Sequence, residues 1–169
     1  MQDSWLSITG SVVSIGAAIW AFVEAKRSAQ AASKAEAVRN ELVQRRTIVE
    51  ISQVHAESIR ILRLVSQVGP SCTKASTRGI NVQSIAQGVE EYSRFLNEHS
   101  GHFNASFQNS ARTLCDELTV CIEELAEAVI FDAVKVAGKK IYYLINSFLP
   151  EVKRLADDKR ESPPFRSKP

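Results

Sequence analysis

Apolar residues recur along most of this chain at steps of three and four, and no segment alternates with the period of two that marks a strand. Residues 5–23, WLSITGSVVSIGAAIWAFV, carry no charge over 19 positions. As a helix they reach about 28 Å, close to the ~30 Å of a bilayer's hydrocarbon core. The following stretch, residues 24–46, has no Gly or Pro and is rich in strong helix formers. From there Ile48, Ile51, His55, Ile59, Leu62 and Val65 form one apolar stripe, which Gly69-Pro70 stops. The spacing therefore predicts a first helix over about residues 4–68. Residues 69–81 are a polar loop. A second helix over 82–99 buries Val82, Ile85, Val89 and Leu96, with Tyr92 and Phe95 at its border, and ends at Ser100-Gly101. A third begins at Asn104–Ser106 and carries Phe107, Ala111, Leu114, Leu118, Cys121, Leu125, Val129 and Val136 up to a break at Gly138. A fourth, over 139–158, carries Ile141, Leu144, Ile145, Phe148, Val152 and Leu155, with Pro150 as a kink or restart.

The expected fold is all-α: a single N-terminal transmembrane helix (1–24) continues into a stalk that is also the first bundle helix (25–68). A helical bundle (69–160) follows, together making four up-and-down helices. The tail, 161–169, is too polar and proline-rich to order itself. Trp5 and Trp20 sit near the two ends of the span, where indoles favour the lipid–water boundary. Lys26, Arg27 and Lys34 follow it and only Asp3 precedes it. The positive-inside rule then places the N-terminus outside and the bundle in the cytoplasm of a bacterial inner membrane. A cleaved signal peptide needs a positive stretch before the apolar run, and Met1 to Ser4 supply none. A buried soluble helix is the other alternative, suggested by the serines.

The span has two unlike sides. Ser7, Gly10, Ser11, Ser14, Ala17, Ala18 and Ala21 share an arc about 120° wide at 100° per residue, and Leu6, Ile8, Val12, Val13, Ile15, Ile19 and Phe22 fill the remainder. Small residues on one side let helix backbones approach and associate in lipid. The stripe continues as Ala25, Ser28, Ala29, Ala32 and Ala35, which favours tight packing over lining a lumen. The partners expected are further copies of the chain and membrane lipid, with Lys26 and Arg27 ringing a cytoplasmic mouth that attracts anions.

Composition adds little: 44% hydrophobic, 24% charged and a net charge of +2 give no global case for nucleic-acid binding. Charge distribution adds more. Residues 24–68 hold eight Lys/Arg against five Asp/Glu and residues 139–169 eight against four, whereas residues 105–137 hold two against six. Basic and acidic helices so arranged can pair with each other or show one sign to a partner. Cys72, Cys115 and Cys121 form no CxxC pair, and Cys115 and Cys121 lie about 240° apart on a helix. They read as small buried hydrophobes, with His99 and His102 too remote in pattern to complete a metal site. There is no glycine-rich phosphate loop. No cofactor, metal or small-molecule substrate is expected.

One pattern carries candidate chemistry: Arg94-Phe95-Leu96-Asn97-Glu98-His99, an R-x4-H. An Arg can stabilise phosphate charge while a His moves protons. The bland alternative is a solvated helix C-terminus with a cation near its dipole. With one N-terminal membrane helix, a long stalk and a small helical bundle, the whole chain resembles the membrane accessory proteins of type VI-B CRISPR–Cas systems. The resemblance implies a divergent HEPN-like bundle in which Arg94 and His99 are the remnant pair. It also implies an oligomeric membrane pore aiding antiphage defence, with an RNA-guided RNase or its RNA products as partner. Phe95 stands where the HEPN motif carries a small polar residue, so the resemblance points to permeability rather than cleavage. Three functions stay open: a pore or permeability effector, a membrane-tethered HEPN-type ribonuclease, and a passive helical scaffold.

Overall fold

The structure, a computed structural model, describes residues 3–103 and 109–161, with side chains from residue 20 onward. Among the described residues the chain is all-helical and has no strand. Its elements are α1 (Asp3–Val65), α2 (Val82–Glu98), a 3-10 turn η1 (Ser100–Phe103), α3 (Ser110–Ala126) and α4 (Phe131–Glu161). The chain divides into two units between Gln44 and Arg45. The expected stalk of residues 25–68 is thus split, and residues 45–65 belong with α2, α3 and α4 rather than with the stretch before them.

Cross-helix contacts give the second unit its topology. Ser58 of α1 meets Tyr92 of α2, and Leu64 lies beside Gly88. Gln83 of α2 reaches the Ala126 carbonyl of α3, while Ser93 is near Cys115. Glu124 of α3 pairs with Lys140 of α4, and Arg160 of α4 returns to Ser52 of α1. For α1/α2 and α2/α3, residue numbers rise on one helix as they fall on the other. Gly138 beside Val68 adds the same sense for α4/α1. The groove between α3 and α4, lined by Ala128 and Ala133 at one end and by Glu117 and Ser147 at the other, adds it for α3/α4. The four helices thus run up and down around one core. That core holds Ile51, Val54, Ile61, Val65, Val89, Tyr92, Leu96, Leu118, Leu125, Ile141, Ile145 and Val152.

The α1 stripe is displaced from the expected one. Residues 51, 54, 58, 61, 65 and 68 are buried, whereas Ile48, His55, Ile59 and Leu62 are half-buried. The shift turns on Ser58, a polar residue that apolar spacing passes over but that is fully buried. Tyr92, expected at the border of α2, is likewise fully buried, and Val82 only half.

The third and fourth helices are also bounded differently. α3 ends at Ala126, its last turn tightening through Glu127 N–H to Glu123 O and Ala128 N–H to Leu125 O. The chain then reverses over residues 127–130 without Gly or Pro. Val129 and Val136, expected on the buried stripe, are 94% and 55% exposed. A single straight helix through 138 would leave the 134–155 stripe without a partner; folding back buries both stripes against each other. Gly138 is therefore not a breaker but an interior residue of α4. A Cβ there would stand 2.3 Å from the Val68 carbonyl oxygen, and only glycine lets the end of α1 approach so closely. Pro150 continues α4 on its exposed side.

Among the described residues no helix is long and apolar enough to cross a membrane. Most of the expected span lies outside the residues whose side chains are described, and with it Ser7, Gly10, Ser11, Ser14, Ala17 and Ala18. Phe107 and residues 162–169 of the expected tail also lie outside the described residues.

Candidate functional site

Local sequence fixes the end of α2 that carries the R-x4-H pattern. Asn81 starts the helix by accepting from the Ser84 N–H, the usual role of a short polar side chain at that position. His99 closes it: its backbone N–H reaches the Phe95 and Leu96 carbonyls, and its Nδ1 donates to the Phe95 oxygen at 2.8 Å. The imidazole also packs on the Phe95 ring, with centroids 4.4 Å apart. Phe95, the departure from the HEPN motif, thereby holds His99 in a capping role. Arg94 turns the other way, pairing with Glu90 at 2.9 Å on the exposed side of α2. It lines an open groove between α2 and α3 with Asn97, Cys115, Asp116 and Thr119. Five helical positions separate the two residues by about 140° around the axis, and each takes a different partner.

A second histidine has the partner that His99 lacks. η1 is anchored on α4, with Phe103 buried on the Phe148 ring, centroids 5.4 Å apart, and reaches α1 through His102. That anchor sets His102 Nε2 at 2.6 Å from Glu50 Oε2, while Arg46 Nε donates to Glu50 Oε1 at 2.6 Å. The Arg46 hydrogen bond, and after it that of His102, holds the Glu50 carboxyl below its ordinary range. Arg46 is pushed up in return, chiefly by its hydrogen bond to Glu50. An imidazole oriented by a carboxylate is an arrangement suited to proton transfer. Sequence spacing could not reveal it, because Glu50 and His102 are 52 residues apart.

The thiols fit their expected role. Cys72, Cys115 and Cys121 are free and buried. Burial pushes the Cys115 and Cys121 thiols up, and Cys115 Sγ donates to the Ser93 carbonyl at 3.4 Å. Thiols so held are poor nucleophiles. The expected pairing of acidic and basic helices is realised between α3 and α4 in the Glu124–Lys140 bridge.

Over residues 20–44 of α1 the described side chains are exposed, apart from Ala37 and Gln44, which are half-buried. Trp20, Phe22, Val38 and Leu42 are more than half exposed, and Ala21, Lys26 and Arg27 are exposed as well. Arg27 lies 4.0 Å from Glu24. Ser28, Ala31, Ala35, Val38 and Leu42 recur at alternating steps of three and four on this exposed helix. The same register runs back through one charged position, Glu24, and then through Ala21, Ala17, Ser14, Gly10 and Ser7 in the sequence. Such a 3.5-residue repeat forms the seam of associating helices.

No family model, no curated protein and no solved structure matches this chain.

Proposed function

We propose that the protein is an oligomeric permeability effector of a bacterial inner membrane. In this reading residues 5–23 cross the bilayer, the N-terminus is outside and the bundle is cytoplasmic. The observation that carries it is the exposed seam of α1, in register with the small residues of the uncharged segment. A lone anchor needs only apolar length. A face of small residues, interrupted at Glu24 and followed by Val38 and Leu42, serves copies of the same helix packing side by side. Ser7, Gly10, Ser11, Ser14, Ala17, Ala18 and Ala21 are the membrane part of that face, and Lys26 and Arg27 lie at its cytoplasmic mouth. The biological setting implied by the resemblance is CRISPR-linked antiphage defence, with an RNA-guided RNase or its products as the trigger.

The test is to exchange residues 5–23 for an unrelated single-pass helix of equal length and topology. Uptake of a membrane-impermeant dye and membrane potential are then followed in induced cells. The native span is expected to admit dye and depolarise, and the exchanged one to do neither. Equal behaviour of the two, with protection against phage retained, would leave a tethered scaffold instead.

A membrane-tethered ribonuclease is favoured by one observation, the Arg46–Glu50–His102 cluster, rather than by Arg94 and His99. Metal-independent cleavage of single-stranded RNA that is lost in His102→Ala and kept in His99→Ala would establish it.

A further inference from the structure

α3 and α4 pack on the core with one side each and leave a groove between their outer sides. At one end the groove is lined by Val120, Cys121, Tyr143 and Leu144, and at the other by Ala128, Val129, Ile130 and Val136. Glu124 and Lys140 belong to both ends, so their 2.8 Å bridge divides one apolar surface into two lobes. The apolar side chains here are not incidental to the core. Val120, Ile130 and Tyr143 are 57%, 64% and 51% exposed, and Val129 is the most exposed large hydrophobic residue described. Two neighbouring exposed apolar lobes of this kind with polar residues around them mark an interaction surface.

The charges identify what fits it. The groove side of α3 is acidic, with Glu117, Glu124 and Glu127, and that of α4 is basic, with Lys140 and the neighbouring Lys139. We propose that this groove binds a second copy of the chain, α3 of each copy lying over α4 of the other about a two-fold axis along the groove. A rotation about that axis keeps each residue at its own level and exchanges the two helices. Glu124 then faces Lys140 of the partner subunit, Lys140 faces Glu124 of the partner subunit, and each apolar lobe covers its own counterpart. The interface is self-complementary in sign and polarity, as an isologous contact must be. It forms a four-helix layer of antiparallel neighbours packed like those within the chain. The proposal does not depend on the membrane reading, since it uses only the unit after Arg45.

The test uses two full-length variants, Glu124→Lys and Lys140→Glu, each with one sign on both sides of its groove. Both positions are exposed, so each variant is expected to keep the wild-type helix content and melting behaviour. One variant is isotopically labelled, the two are mixed, and a zero-length carbodiimide joins amines to carboxylates in contact. An amide between position 124 of the first variant and position 140 of the second can form only between copies. Mass spectrometry is expected to find that linked peptide in the mixture, and to lose it when Val120→Asp is added to both. A mixture without the 124–140 link, whatever else is cross-linked, overturns the proposal. A link that survives Val120→Asp overturns it too, because the apolar lobes would then contribute nothing. Oligomers formed through α1 change neither outcome, since α1 carries neither position.

Discussion

Tyr92, in the middle of α2, donates its hydroxyl proton across 2.8 Å to Ser58 of α1. The direction follows from Ser58, whose only proton goes to the Val54 carbonyl oxygen at 2.7 Å. Both residues are fully buried, so the pair is a fixed polar cross-tie between the two helices within the core. Burial pushes the phenol well above its ordinary value of 10.0, and the Ser58 contact offsets this only in part.

Three substitutions separate the roles of the two hydroxyls. Tyr92→Phe removes a donor and leaves Ser58 bonded to Val54, for a loss of about 1 kcal/mol. Ser58→Ala strands a buried phenol and is expected to cost more, about 1–3 kcal/mol. The double variant should lose less than the sum, because with Phe at 92 nothing is stranded. Denaturant unfolding followed by circular dichroism measures all three. The folded-state pKa of Tyr92 is raised, so its contribution is complete below pH 10 and declines as the pH rises further.

Gly138→Ala should destabilise although alanine is the better helix former by about 1 kcal/mol. The added Cβ meets a backbone oxygen, Val68 O at 2.3 Å, and cannot be relieved by a rotamer change. Overpacking of this kind costs about 1–3 kcal/mol. Gly88→Ala meets the flexible end of Leu64 at 2.7 Å and should cost less, and Gly101→Ala meets nothing within 4 Å. Thermal melting of the three variants is expected to rank Gly138 lowest, then Gly88, then Gly101.

The His102–Glu50–Arg46 cluster has a predictable acid limb. The folded-state pKa of Glu50 is depressed, so its stabilising effect is complete above its ordinary value of 4.5 and is lost as the pH falls through the folded value. The melting temperatures of the wild type and Glu50→Gln should therefore differ most at neutral pH and converge in acid. Curves that stay parallel down to about pH 3 would show that the carboxylate's charge is not what ties η1 to α1.

The all-α class and the faces of α3 and α4 were legible because they depend on apolar spacing alone. Leu114, Leu118, Cys121 and Leu125 lie where the pattern puts them, and so do Ile141, Ile145, Phe148, Val152 and Leu155. What the pattern missed depends on contacts between distant residues. Ser58 is buried because Tyr92 satisfies it. Gly138 is helical because Val68 arrives beside it. The turn after Ala126 exists because two stripes bury each other, not because a residue there breaks a helix. The candidate site shows the same division. The Arg94/His99 spacing is local and visible, yet the side chains take separate partners, whereas the imidazole with a carboxylate partner, His102, is assembled from segments 52 residues apart.

The exposed seam of α1 gives the most direct test of oligomerisation outside the uncharged segment of residues 5–23. Val38 and Leu42 lie on the seam with Ser28, Ala31 and Ala35, whereas Val43 is as exposed as they are but one position, about 100°, off it. Leu42→Asp removes apolar area and places a charge where neighbouring copies meet. It is expected to weaken assembly in mild detergent at least tenfold, about 1.4 kcal/mol. Val43→Asp removes similar apolar area and adds the same charge outside the seam, so it should leave the oligomer largely intact. Neither should alter the unfolding of the unit after Arg45, because both positions precede it. Ala35→Cys adds the geometry: in a parallel, in-register assembly the same seam position of neighbouring copies lies close, so oxidation should join copies through residue 35. Equal weakening by Leu42→Asp and Val43→Asp would mean that general apolarity, not this face, holds copies together. Failure of Ala35→Cys to cross-link, with the oligomer intact by sizing, would mean that the copies do not run in parallel register, and the ring of like-oriented helices proposed for the membrane would fail with it.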